Sequence, residues 1–311
     1  MTDYNPELPS VWEEYVVHIP LPEHFGAAQM EHRAQMLSRV RYLLVVGSLL
    51  RPRRIVEYAC RELGFASRGS YFDILKDHAV ADREFNIELL SLADDCDVAI
   101  ASHGIGGAGA EIVIRELCAL VHLIADRQGK PLERAIRAVG RSGTRGTLAP
   151  LEYGTVGISS LSYDDQMNAA APDPLLLSLL VDAAKKTGEP YALGKGISTA
   201  FFWSGQGRST PSERPESSAL KQRRQQRNQD LLWSWLEAGI DFVEMEDYAV
   251  HAVCGSMAIP SVSAGVIVAR RFDAQTQRFV LDYDKASKER TELRPAAAIL
   301  RAFDAHRQLS T

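Results

Sequence analysis

The chain has 311 residues, 46% apolar and 24% charged, a balance that excludes a disordered polypeptide and a membrane-embedded one. A formal net charge of −5 argues against a general nucleic-acid binder, which needs a basic field, but leaves room for a small anion held by local arginines. Cys60, Cys96, Cys118 and Cys254 are far apart with no CxxC pair, so buried reduced thiols are expected rather than a disulfide scaffold or a metal site.

Residues 1–14 read as a polar lead-in without the basic start and apolar middle of a secretory signal. No apolar run reaches the roughly 18 residues that cross a bilayer, and a cytosolic protein is expected. From residue 15 to 311 strand-like and helical runs alternate, as expected of one α/β domain. The strand runs are Tyr42–Gly47, Asp97–His103, Tyr153–Ser159 and Ser261–Ala269, continuously apolar as in sheets covered on both faces. A helix follows the first run and stops near Gly64, and a second follows Gly109. A third opens at Pro172 and Asp173 and ends before Gly188. The polar stretch Arg208–Arg227 reads as a solvated loop leading into a helix, or as a loop that covers substrate.

Four local patterns carry chemistry. Gly104, Gly106 and Gly109 fit GxGxxG between a strand and a helix, with Asp126 near the spacing of a ribose-binding acid. That pattern is shared by dinucleotide sites and by turns that need glycine only for packing. In GSLLR, Gly47 ends a strand and Arg51 offers planar donors suited to phosphate. RSGTRG, Arg141–Gly146, reads as a short turn combining arginine, hydroxyl and flexible backbone, a composition suited to an oxyanion. In FVEMEDYA a short apolar stretch passes into a helix. Glu244 and Glu246 flank Met245 there, either accepting sugar hydroxyls or simply favouring a helix N-terminus.

Taken in order, GSLLR, HGIGG, RSGTRG, FFWSGQGR, VEMED and AGVIVAR resemble the ordered motifs of type I nucleoside phosphorylases, over about His18 to Arg270. The resemblance implies a three-layer α/β/α domain with a mixed, partly barrel-like central sheet, and a GIGG turn beside phosphate and sugar. FFWSGQGR, Phe201–Arg208, is similar to the signature of the uridine phosphorylase branch. AGVIVAR lacks the aspartate with which purine-specific relatives assist N7, and which the related nucleosidases need.

The resemblance implies phosphorolysis of uridine, deoxyuridine or thymidine, with inorganic phosphate as co-substrate and no cofactor. Phosphate falls to Gly47, Arg51, Arg141 and Thr144, with Arg68 as the candidate donated by a neighbouring subunit and Arg83 behind it. Ribose falls to Glu244, Met245 and Glu246, with His18 reaching across from a neighbour. The base falls to Phe202, Gln206 and Arg208, against a wall of Ile267 and Val268. A homodimer or a ring of dimers with shared active sites follows, and neither nucleic acid nor membrane is an expected partner. Departures remain: Ser48 and Leu49 stand where the family's first strand usually continues with aspartate–proline, and Ala125–Arg137 is longer than expected.

Overall fold

Val40–Val46 (β1) has its side chains shared between two apolar cores, which is what a strand with helices on both faces requires. Leu43 and Val45 join one core with Ala99, Ala101, Val113 and Leu117, while Tyr42, Leu44 and Val46 join the other with Ile55, Val98, Ile299 and Phe303. The computed structural model describes residues 12–25, 27–71, 85–129, 136–202, 204–206 and 217–309.

The elements are α1 (Ala27–Leu37), β1, α2 (Arg51–Tyr58), β2 (Ala66–Ser70), β3 (Ile87–Ala93), β4 (Cys96–Ser102), α3 (Gly107–Arg127), β5 (Ala138–Thr147), β6 (Val156–Tyr163) and β7 (Ala169–Ala170). They continue with α4 (Pro174–Thr187), β8 (Tyr191–Ser198), α5 (Ser218–Glu237), β9 (Phe242–Glu244), α6 (Asp247–Ser256), β10 (Ser261–Asp273), β11 (Arg278–Tyr283), α7 (Lys285–Thr291) and α8 (Arg294–Leu309). None of the described helices is long and apolar enough to cross a membrane.

The ends of α4 fall where local chemistry puts them. The Asp173 side chain accepts from Leu176 N at 2.9 Å, Pro174 occupies the first turn, and Gly188 closes the helix at φ 69°. The helix after β1 ends in a widened, π-helical turn over Ala59–Leu63, capped by Gly64 at φ 76°.

The strands run in the order β11-β10-β6-β8-β9-β5-β1-β4-β3-β2, with β7 on β6. Because β10 also pairs with β5, the five strands β5, β10, β6, β8 and β9 close into a ring. Strand β5 is the fork. Its first half pairs in parallel with β1, Tyr42 opposite Ala138 through Val46 opposite Ser142. Its end pairs with β9 instead, at Gly146 and Thr147. Here an open sheet becomes a barrel, and parallel strands end beside one another, the place where α/β sheets leave a crevice.

RSGTRG is therefore not a turn: Arg141–Gly146 lies inside β5. A strand alternates its faces, so Arg141, Gly143 and Arg145 share one side. Glycine stands between the arginines because a Cβ on Gly143 would lie 2.6 Å from Arg141 Cζ. On the neighbouring strand β10, a Cβ on Gly265 would lie 2.6 Å from Arg145 Cγ. The ring interior thus holds guanidinium groups where apolar side chains are more usual. Arg145 also lies over the Phe242 ring, 5.1 Å from its centroid.

Candidate active site

At the fork opens a cavity of about 380 Å³, lined at one end by Gly47, Arg51, Gly104, Arg141, Gly143 and Thr144. Its middle holds Glu244, Met245 and Glu246, and its other end Phe202, Gln206, Val268, Ala269 and Arg271, while Tyr283 and Lys288 also line it.

Gly47 ends β1 against the turn after β4. A Cβ there would meet Gly104 O at 3.0 Å, so the close approach of the two strand ends needs glycine. Arg51 opens α2, largely buried, with Nη2 3.6 Å from a Glu292 carboxylate that Arg54 also binds. Glu292 thereby steers Arg51 from behind while the guanidinium still lines the cavity. Gly104 and Gly106 adopt φ 78° and 96°, conformations that favour glycine, and Gly106 N donates to Glu246 Oε1 at 2.8 Å. The glycine turn thus spends an amide on a carboxylate of its own chain. Asp126 stands in the last turn of α3, some 19 positions along a helix that rises about 1.5 Å per residue, too far away to share a ligand with this turn. The dinucleotide reading fails on that geometry.

Strand β9 ends in Glu244, and α6 begins at Asp247. Glu244 Oε2 accepts from the N–H groups of Glu246 and Asp247 at 2.6 and 2.9 Å, so this glutamate folds the strand-to-helix corner. Its other oxygen is bonded by Ser198. Three acids of this corner surround one guanidinium. Arg141 Nη1 donates to Asp247 Oδ1 at 2.9 Å, and Nη2 donates to Glu246 and lies 3.3 Å from Glu244 Oε2.

Burial opposes the charge on Arg141, but Asp247, Glu246 and Glu244 more than offset it and raise its pKa further. Burial would likewise raise Asp247, yet Arg145 and Arg141 hold it well below the usual carboxylate range. Glu244, buried and flanked by the Asp247 and Glu246 charges, is pushed up to about 8. His103, at the end of β4, is buried, which lowers it to about 4; neither ring nitrogen has a hydrogen-bond partner among the described residues.

At the far end, Gln206 is 5% exposed and its Oε1 accepts from Arg271 Nη2 at 3.0 Å, which fixes the amide's orientation. Phe202 is 41% exposed and presents an aromatic face at the mouth. Among the described cavity residues, the only carboxylates are Glu244 and Glu246. Such a site suits an anion at the strand ends, a polyol in the middle and a flat, hydrogen-bonding ring at the far end.

Of the residues expected from sequence, the structure brings Gly47, Arg51, Arg141, Thr144, Phe202, Gln206, Glu244, Met245, Glu246 and Val268 to this one cavity. Arg208 and Arg83 lie outside the described residues. Ile267 is fully buried away from the cavity and Val268 lines it, since strand neighbours face opposite ways; Ala269 completes the wall after an irregularity in register. Arg68 is on β2, bonded to Ser91 and 3.7 Å from Asp97, away from its own chain's cavity. His18 is also away from it, held by Glu116 through its backbone N–H at 2.8 Å and its ring Nδ1 at 2.5 Å. Arg145, Asp247, Arg271, Tyr283 and Lys288 were not singled out from sequence. A period-two reading of R-x-G-x-R as strand would have exposed Arg145; the others carry no local signal.

A family model for the Phosphorylase superfamily matches residues 44–303 of the chain. No curated protein matches it. Among solved structures it is similar to the crystal structure of purine nucleoside phosphorylase from Toxoplasma gondii in complex with immucillin-H. That match has a TM-score of 0.60 and 19% identity, and covers 88% of this chain and 94% of the other. At that identity the likeness speaks for the fold. The mixed sheet, closed in part into a barrel and layered between helices, is the nucleoside phosphorylase fold.

Proposed function

Because the chain belongs to the phosphorylase superfamily, we propose that it is a uridine phosphorylase, converting uridine and inorganic phosphate reversibly to uracil and ribose 1-phosphate. The observation that carries this reading is the base end of the cavity. There an amide and a guanidinium, Gln206 and Arg271, meet an aromatic face, Phe202, with no acid among the described residues there. A purine leaving group calls for an acid at N7. A uracil leaving group instead gains negative charge on its ring, which donors and cations stabilise.

Phosphate sits against Gly47, Arg51, Arg141 and Thr144. Glu246, already accepting from Gly106 and Arg141, takes a ribose hydroxyl, and Met245 packs on the sugar. Phosphate is itself the nucleophile, so no side chain has to form a covalent bond. It attacks the anomeric carbon as the glycosidic bond breaks with oxocarbenium character. Gln206, oriented by Arg271, reads the polar edge of the base, and Arg208 keeps its proposed place at the uracil oxygen. His18 and Arg68 belong to this scheme only as groups a neighbouring subunit brings, in a dimer with shared sites. The cytosol is the proposed setting.

The test follows uridine absorbance with and without phosphate, with uracil identified by chromatography and inosine and thymidine run in parallel. Loss of uridine that requires phosphate is expected. Loss without phosphate would make the protein a hydrolase, cleavage of inosine in preference would make it a purine enzyme, and binding without turnover would make it a nucleoside-binding protein.

A further inference from the structure

The interior of the barrel contains a polar network behind the cavity that reaches its wall only through Arg141 and Arg145. Asp247 is fully buried, accepts three hydrogen bonds and makes a further ion pair. Oδ1 receives Arg141 Nη1 at 2.9 Å and the Ser263 hydroxyl at 2.5 Å. Oδ2 receives the Ser159 hydroxyl at 2.6 Å and is ion-paired with Arg145 Nη2 at 2.7 Å. Each serine hydroxyl, having given its proton to Asp247, accepts from Arg145: Ser159 from Nη1 at 2.7 Å and Ser263 from Nη2 at 3.1 Å. The hydrogen bonds therefore close a ring in which every hydroxyl has one definite direction. Strands β5, β6 and β10 and helix α6 each supply a member.

Such a network is a poor source of stability, because removing two arginines and a carboxylate from water offsets most of their attraction. Well-packed apolar side chains would fill the same barrel at least as stably. What the network does uniquely is geometric. A guanidinium is planar, so holding Nη1 on an immobile carboxylate fixes its rotation as well as its position. Arg141 is then left with Nη2 toward Glu246 and with Nε, which is buried and donates to no described residue.

We propose that Asp247, locked by Arg145, Ser159 and Ser263, is a positioning residue that sets the orientation of Arg141 toward the anion. The proposal rests on the phosphate reading above and goes beyond it by assigning a role to three residues behind the cavity and to one inaccessible arginine in its wall. Arg141 could bind an anion without them, but in several rotations, and the productive one would be populated only part of the time.

Asp247→Asn keeps the shape and removes the charge, and Ser159→Ala/Ser263→Ala keeps every charge and removes only the hydroxyl bonds that lock Asp247. Circular dichroism and melting establish that each is folded; if Asp247→Asn is not, the double variant decides. KM and kcat are measured for phosphate and uridine separately, with calorimetric titration of inorganic phosphate alone. Expected is a rise in phosphate KM of about 10²-fold in Asp247→Asn and about tenfold in the double variant, with the uridine KM at saturating phosphate within about twofold of wild type. The calorimetric affinity for phosphate should weaken in parallel. Variants that melt lower but keep their phosphate KM and affinity would overturn the positioning role, as would equal rises in both KM values. The wild type separates the two readings. If it neither binds nor requires phosphate, the reading of the site fails and the positioning role with it. If it does both while the variants are unmoved, only the positioning role fails.

Discussion

Gly143→Ala would test whether the lock on Arg141 matters, because the substitution moves that guanidinium without touching a charge. Gly143 lies in β5 with no unusual backbone angle, so alanine is tolerated by the main chain. Its Cβ, however, would lie 2.6 Å from both Cζ and Nη2 of Arg141 and 3.0 Å from Nη1. Ordinary contact needs about 3.5 Å, so the guanidinium must retreat by roughly 1 Å. It cannot do so freely, since Asp247, Glu246 and Glu244 hold it. Moving it stretches the 2.9 Å bond to Asp247 to nearly 4 Å, beyond hydrogen-bond length. A misplacement of about 1 Å at a group that orients the reactants costs about 10²-fold in rate, or about 2.7 kcal/mol in the barrier. Overpacking also destabilises the fold by about 1–3 kcal/mol. The two effects separate with Gly157→Ala, which crowds Phe242 at 2.9 Å from a position away from the cavity. Steady-state kinetics at varied phosphate should show kcat/KM for phosphate falling about 10²-fold in Gly143→Ala and hardly at all in Gly157→Ala, while both melt lower. A Gly143→Ala enzyme with normal phosphate kinetics would refute the claim that Arg141 must stand where the network holds it.

The remaining expectations concern protonation, the base and a helix cap. Glu244 is pushed up to about 8 by burial and by the Asp247 and Glu246 charges, so the folded chain keeps a proton that the unfolded chain releases. Its contribution to stability is complete below the ordinary carboxylate pKa and is lost as pH rises through about 8. The melting temperature should therefore fall between about pH 6 and pH 9, and Glu244→Gln should flatten that slope; identical slopes would count against the raised carboxyl. Arg271→Met removes the donor that fixes Gln206 and should raise the uridine KM about tenfold without moving the phosphate KM, measured by varying each substrate in turn. Asp173→Ala removes the side-chain cap on Leu176 N and should lower unfolding free energy by about 1 kcal/mol in denaturant titration, leaving both KM values alone.

The sequence exposed those parts of the fold whose signals are local. Asp173 and Gly188 mark the ends of α4 because capping chemistry involves only neighbouring residues. β1, β4 and β10 read as strands because burial on both faces leaves an unbroken apolar run. β5 was misread for the same reason reversed: the interior of this barrel is polar, so its central strand carries arginine, serine, threonine and glycine, a composition that in isolation belongs to turns. The anion end of the cavity was legible because its residues fall in short motifs. The base end was less so, since Gln206 is held by Arg271, which comes from the distant strand β10. Ile267 and Val268 were expected to act together, but a strand sends neighbours to opposite faces, and only Val268 reaches the cavity.

The two ends of the cavity are therefore built by different means. Gly47 and Arg51 stand at the ends of buried elements and Arg141 inside β5, and each is held from behind: Gly47 by the approach of Gly104, Arg51 by Glu292, Arg141 by Asp247. Rigid framework suits a step in which the attacking oxyanion must meet one carbon along one line. Phe202 and Gln206 belong instead to a short turn at the rim, which can be altered without disturbing the ring. Substitutions at Phe202, Gln206 or Arg271 should change which base is accepted, whereas substitutions at Arg141 and the residues that lock it should change whether phosphate is used at all. Selectivity and reactivity then reside in separable parts of one barrel, with β5 as the strand they share.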